Sequence, residues 1–355
     1  MMTKETGMKN RLARWFCASL ILLFPFFAIT PAAAQVAGLN TLAVLDMSNA
    51  GRTAGLGLDY LALYGDDLSI GIDNPSLIRP TMGGTGMLSY VSLFGGGRGL
   101  MSYGYNSKHL GTFVFSFHYN NYGRFTEYDE EENVLGTFIA SDYALSVGWG
   151  IWLDSSFSVG VNFKPVLSQY ASYTALATVF DVAGSYTSAN RRFTATVMGR
   201  NIGAQIVTLD GTAEPLPFEL SASLSYKLVG APFRFYFAAT ELQHWDLRYD
   251  DPFNPTTVVD PFTGETNSES WLEGTLDNLL RHTLVGVEIN FGNALFARVG
   301  YSYRQNAEMR GVDAFNLSGF AFGVGLRTKR FEFSYAHRDY HLSQAPNYLT
   351  LSYHF

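Results

Sequence analysis

The sequence predicts an all-β fold: a transmembrane antiparallel β-barrel of about 14 strands, with an N-terminal segment that plugs the lumen. Three observations point there. Apolar residues alternate with small or polar ones in strand after strand, the chain begins like an export signal, and its final strand ends on an aromatic residue. Of 355 residues, 28 are Phe, 21 Tyr and 5 Trp, and 35 are Gly. Aromatics in that number suit a lipid-facing wall with interfacial girdles.

The first element is a signal peptide over residues 1–34. Lys4, Lys9, Arg11 and Arg14 make a basic start, Trp15 to Thr30 is uncharged and largely apolar, and Ala32-Ala33-Ala34 supply an A-x-A site, which places the cut between Ala34 and Gln35. The apolar run is broken by Pro25 and is shorter than the roughly 20 residues of a spanning helix. Cys17 is the only cysteine. It lies in the signal, and no lipoprotein box precedes it, so the mature chain relies on hydrogen bonding and packing rather than disulfides. Removing the signal takes four of the 24 basic side chains and one of the 31 acidic ones, leaving a net charge of −10. Such a balance argues against nucleic acid as a partner.

Residues 35–82 do not alternate. Leu42–Leu45 is a short apolar run, Gly51–Leu61 is rich in Gly and Leu, and Asp66-Asp67 precedes Ile70, Ile72 and Asn74-Pro75-Ser76-Leu77. Pro75 and Pro80 interrupt regular structure. The segment reads as a plug folded back into the lumen, with a periplasmic lead-in as the alternative.

Residues 83–355 carry the barrel. Phe113, Phe115, Phe117 and Tyr119 form one face of a strand against Thr112, Val114, Ser116 and His118, and the same period of two recurs along the chain. The strands fall near 84–94, 98–106, 111–121, 139–151, 156–166, 176–187, 192–201, 217–227, 232–241, 281–291, 294–305, 315–327, 330–340 and 346–355. Every second connection is short: 107–110, 152–155, 188–191, 228–231, 292–293 and 328–329. Those between are mostly longer: 122–138, 167–175, 202–216, 242–280, 306–314 and 341–345. Outer-membrane barrels have short periplasmic turns and long outer loops. The expected location is therefore the cell outer membrane, as a multi-pass barrel with both termini periplasmic. A soluble sandwich would alternate too, but the export signal and the aromatic wall disfavour it.

In the last strand Leu349, Leu351, Tyr353 and Phe355 alternate with Thr350, Ser352 and His354. This strand is expected to close the barrel on the first one and to be read by the barrel assembly machinery.

No chemistry is expected, and no cofactor. There is no G-x-S-x-G motif. The glycine runs 83–84 and 95–97 lack the lysine and helix of a phosphate loop and read as turns and bends. His337 and His341 have helical metal spacing but sit in an alternating strand, and Asp129-Glu130-Glu131-Glu132 reads as a solvated loop rather than a calcium site. The candidate working surface is the longest connection, 242–280, with Trp245, Asp246, Phe253, Phe262 and Trp271 as candidate partner-binding residues. Exposed aromatics anchor interfaces. The alternatives are that they cover the barrel mouth as a lid or dip into the outer leaflet.

Several stretches together carry a resemblance. They are Asn74-Pro75-Ser76-Leu77 after the acidic pair, Ala140-Ser141-Asp142-Tyr143-Ala144-Leu145, Gly199-Arg200-Asn201-Ile202-Gly203, Glu214-Pro215-Leu216-Pro217-Phe218-Glu219, Ala231-Pro232-Phe233-Arg234-Phe235, Trp245-Asp246-Leu247 and Phe331 to Leu342. In order and spacing they resemble the PorV/PorQ group of FadL-like barrels found in Bacteroidetes. The resemblance implies a FadL-like barrel at the outer-membrane end of the type IX secretion system. It would anchor a PorZ-like surface protein in the attachment complex with PorU and PorV, surrounded by outer-membrane lipid. The alternative is a FadL-like outer-membrane transporter of hydrophobic small molecules, and a third reading is a general porin.

Overall fold

The computed structural model describes residues 42–45, 50–57, 62–93, 95–209, 211–248, 257–259, 266–268, 270–292, 294–309, 317–339 and 345–355. Fourteen strands close into an antiparallel barrel. They are β1 Thr85–Leu93, β2 Gly96–Ser107, β3 Gly111–Tyr128, β4 Val134–Trp152, β5 Phe157–Tyr170, β6 Tyr173–Thr187, β7 Phe193–Val207, β8 Glu219–Lys227, β9 Phe233–Ala239, β12 Thr283–Phe291, β13 Leu295–Ser302, β14 Phe320–Arg327, β15 Phe331–Arg338 and β16 Asn347–His354. Between β9 and β12, β10 (Thr257–Val259) and β11 (Thr266–Ser268) form a separate small hairpin. β1 closes on β16, with Thr85 opposite His354 and Ser92 opposite Asn347. Closure leaves no sheet edge in the body of the barrel, the condition for strands to exist in hydrocarbon.

Burial follows the period of two. Leu88 and Tyr90 on β1, Met101 and Tyr103 on β2, Phe115 and Phe117 on β3, and Leu349 and Leu351 on β16 face outward and are exposed. Their neighbours Met87, Ser89, Leu100, Ser102, Ser116, Thr350 and Ser352 face inward and are buried. Among the described residues no helix is long and apolar enough to cross a membrane.

The connections differ from the expected pattern in several places; besides those that follow, β7 runs on to Val207 into the connection expected over 202–216, and the strand expected from 315 begins at Phe320. Most of 122–138 is strand, because β3 and β4 run on to a turn at 129–133. Phe125 and Phe138 stack across the pair at 5.6 Å, and Asp129 fastens the turn by accepting from the Glu131 and Asn133 amides at 2.9 and 2.8 Å. The connection expected over 167–175 is only 171–172, with Ala171 at φ 53°. The strand expected to reach 305 ends at Ser302 and continues as a helix, Tyr303–Met309. Connection 242–280 contains the β10–β11 hairpin and most of a second helix, Trp271–Arg281. That helix starts with a capping box in which Ser270 Oγ accepts from the Glu273 amide and Glu273 accepts from the Ser270 amide.

The described residues between 42 and 82 lie inside the barrel. Helix α1 (Gly51–Ala54) rests on β14, β15 and β16, and helix α2 (Leu68–Asp73) on β1 to β4. Asp67 caps α2 by accepting from the Ser69 amide at 2.9 Å, and Asn74 caps the following 3-10 turn, Pro75–Leu77, through the Ser76 amide at 3.1 Å. Leu56, Leu63, Leu68, Ile70, Leu77, Ile78 and Met82 form one apolar core with Met87, Leu100 and Val114 of the wall. The other two helices, α3 (Trp271–Arg281) and α4 (Tyr303–Met309), belong to the long-connection rim.

Candidate functional site

Two regions are built for more than closing a sheet: the filled lumen and the rim that carries the long connections.

In the lumen the wall supplies small side chains where the plug comes close. A methyl group added at Gly300 would overlap the Leu56 carbonyl, and one at Gly160 would overlap Pro75. Only glycine lets two backbones approach so closely. Polar wall residues meet the plug backbone directly. Asn162 donates to the Ile72 carbonyl at 2.9 Å, Arg200 to the Leu45 carbonyl at 3.1 Å, Arg98 to the Val44 carbonyl at 3.3 Å, and Trp152 to the Ile78 carbonyl at 3.1 Å. Thr350 accepts from the Gly51 amide at 2.9 Å.

Buried charges tie the two parts together. Arg52 of the plug lies 3.6 Å from Asp67 and 3.5 Å from Glu288 of β12. Glu288 also takes Arg298 of β13 at 2.8 Å, and Arg298 donates to Ser334 at 3.1 Å and stacks over the Phe296 ring at 4.0 Å. A second cluster joins Lys164 to Asp181 at 2.8 Å and to Asn201 at 2.9 Å. Buried charges of this kind must be paired to be tolerated. Only a small cavity, about 30 Å³, is left among Val44, Ile72, Lys164 and Asp181.

At the rim, α3 and α4 pack side by side. Asp277 accepts from the Tyr303 hydroxyl at 2.7 Å and from Arg281 at 2.8 Å. Burial alone would raise the Asp277 carboxyl, but the Tyr303 and Arg281 donors and the nearby charges of Arg281 and Arg248 hold it below the usual carboxylate range. Asn278 accepts from the Leu247 amide at 2.9 Å and donates to the Trp245 carbonyl. Arg304 of α4 reaches Glu241 beyond β9 at 3.2 Å, and Gln305 donates to the Asp339 carbonyl beyond β15 at 2.9 Å. α4 therefore links the segments that follow β9 and β15 along the rim.

The candidate residues are distributed unevenly. Trp245 is exposed, and its ring lies over His282 at 6.0 Å. Asp246 is also exposed and accepts from the Arg248 amide at 3.1 Å. Trp271 is 82% exposed at the start of α3. Phe253 and Phe262 lie outside the described residues, as do Ala34 and Gln35 at the expected cleavage site. Leu349 and Leu351 face outward, and Phe331, Tyr353 and Phe355 form an aromatic row with centroids 4.8 Å apart at each step. The Phe355 amide donates to the Gly84 carbonyl at 2.9 Å.

Among the described residues no group of three His, Cys, Asp or Glu is placed to hold a metal ion, and His341 lies outside them. The sequence reading does not predict the lumen ion pairs; their signal is that Glu288 and Arg298 both sit at inward positions of paired strands. The cap of α3 was legible as Ser270-Trp271-Leu272-Glu273, an S-x-x-E pattern.

No protein-family model matches the chain, and no curated protein matches it. Solved structures do. The deltaS2 mutant of the TodX monoaromatic hydrocarbon channel aligns with a TM-score of 0.52 at 10% identity, covering 86% of this chain and 99% of that one. The Pseudomonas putida toluene transporter TodX gives 0.49 at 9% identity over 87% and 98%. A Pseudomonas aeruginosa FadL homologue gives 0.45 at 9% identity over 87% and 98%. At such identities the likeness concerns the fold alone: a closed 14-strand antiparallel barrel.

Proposed function

We propose that this chain is an outer-membrane anchor rather than a conduit: a PorV/PorQ-like barrel that holds a PorZ-like surface protein in the type IX attachment complex, with PorU and PorV as further members. The observation that carries the proposal is the lumen, filled by its own N-terminal segment and tied to the wall by buried ion pairs and backbone hydrogen bonds. The elaborated parts lie at the long-connection rim instead. There the β3–β4 hairpin rises beyond its neighbours with Phe125, Tyr128, Val134, Leu135 and Ile139 exposed, and Trp245 and Asp246 stand beside the α3–α4 pair. In this proposal the rim faces outward, both termini are periplasmic, and the chain has no catalytic role.

Affinity purification of the full chain from its native outer membrane, followed by mass spectrometry, tests this. Recovery of type IX components is the expected result. Deleting 250–269 and replacing Trp245 by Ala, with Ser270 and α3 kept, should lower that recovery without lowering the amount of inserted barrel. Unchanged recovery would remove this connection from the interface.

A second reading has one observation in its favour. The shared architecture with a hydrocarbon channel supports a transporter of hydrophobic small molecules. Co-purified fatty acid or hydrocarbon, with no protein partner and an uptake defect on deletion of the gene, would establish it in place of the anchor.

A further inference from the structure

Helix α3 is built inside out. A surface helix of a water-soluble protein turns its apolar stripe to the core and its polar face to solvent. In α3 the residues that pack inward are Gly274, Asp277, Asn278 and Arg281, engaged with Arg248, Tyr303, Leu247 and α4. The residues turned away are Trp271, Leu272, Leu276, Leu279 and Leu280, and each of them is exposed. An apolar surface of this kind marks contact with something other than water.

The neighbouring wall says what that is. Only His282 separates α3 from β12, and Thr283, the first strand residue, donates to the Leu279 carbonyl at 3.0 Å. Val285 then continues the exposed apolar surface on the outer face of β12, and Phe237 and Leu242 extend it on and beyond the paired strand β9. The leucine stripe is thus continuous with the lipid-facing wall, while its polar side is turned to α4 over the mouth. We propose that α3 lies in the lipid leaflet at this rim. The leucines sit about 5–10 Å into the boundary between headgroups and acyl chains, and Trp271 sits at the headgroup level that indole favours. Trp271 then belongs to a membrane contact, which leaves Trp245 and the β3–β4 hairpin for a protein partner.

Fluorescence quenching of the full chain in phosphatidylcholine vesicles tests this. The Trp271 contribution is the emission of the wild type minus that of Trp271→Phe, a conservative change at an exposed position. Folding of both is verified by heat-modifiable electrophoretic mobility. The expected result is that brominated acyl chains quench this contribution more strongly than aqueous iodide supplied on both sides. Stronger quenching by iodide, or quenching by neither, would overturn the proposal, the latter because it would place another protein surface over the helix. Leu276→Glu should shift the same contribution toward iodide. If it does not, the stripe is not what holds Trp271 in lipid.

Discussion

Gly150→Ala probes the fit between plug and wall most directly. Gly150 faces inward on β4, and an added methyl carbon would lie 2.6 Å from both Ile78 Cβ and the Pro75 carbonyl oxygen, 0.8 Å less than the 3.4 Å of an ordinary contact. Neither neighbour is a movable tip. The Pro75 carbonyl accepts from the Ile78 amide at 3.2 Å, and the Ile78 carbonyl accepts from Trp152 at 3.1 Å. The strain therefore cannot be relieved by a rotamer change, and either the turn must retreat or the strand must bow. Overpacking of this kind costs about 1–3 kcal/mol. A matched control separates it from the general effect of replacing glycine, which in a strand interior stabilises by roughly 0.5–1 kcal/mol. Gly184 on β6 faces outward with nothing near its missing side chain, so Gly184→Ala meets no plug. Urea unfolding of the two variants in lipid vesicles should place Gly150→Ala below Gly184→Ala by about 1–3 kcal/mol, a gap set by the plug contact alone. Equal midpoints would refute the close seating of the plug.

Three further outcomes are expected. Glu288→Gln leaves Arg52 and Arg298 buried with a weakened counter-charge, so it should cost about 3–5 kcal/mol and raise steady conductance in planar bilayers; unchanged stability and conductance would dissociate the ion pairs from plug retention. The Asp277 carboxyl is held below its ordinary value in the folded protein, so its contribution is fully present above the unfolded carboxylate range near about pH 4 and is lost as pH falls through the folded value. Hydrogen exchange of Trp271–Arg281, corrected for intrinsic rates, should accordingly rise only in that acidic window, and Asp277→Asn should remove the step. Phe355→Ala removes one aromatic contact worth about 0.5–1.5 kcal/mol and leaves the β1–β16 pairing intact, so it should lower the amount of inserted barrel much more than the thermal stability of the copies that insert. Equal losses in both would reduce Phe355 to a packing residue.

The strands were legible because their physics is local. Phe113-Phe115-Phe117 against Thr112-Val114-Ser116 states a period of two with no reference to the rest of the chain, and a closed barrel then follows from the need to pair every edge. The extents of β3 and β4 were harder to read. From Arg124 to Tyr128 every residue of β3 is exposed, so Arg124, Thr126 and Glu127 carry no alternation, and Phe125 stacks across the hairpin on Phe138. The ion pairs escaped for a different reason. Glu288 and Arg298 are opposite each other only once the β12–β13 register is known, and Arg52 joins them across the lumen from 236 residues away in the chain. In α3 the leucines were visible, but which way they face depends on Tyr303 and Leu247 claiming the polar side.

The unequal height of the wall has a consequence of its own. β3 and β4 contain 18 and 19 residues, whereas β8 and β9 contain 9 and 7. At about 3.4 Å per residue the strands on one flank outrun those on the other by roughly 30–40 Å along their length. A uniform cylinder presents the same rim from every compass direction, and a protein seated on it is free to spin. On the anchor proposal, a docked protein would meet a fence on one side and the α3–α4 pair on the other, and the uneven outline would restrict how it can turn. On that proposal the barrel would pass its own orientation in the membrane to the protein it anchors, and the bearing of the complex would be set before any second membrane contact is made.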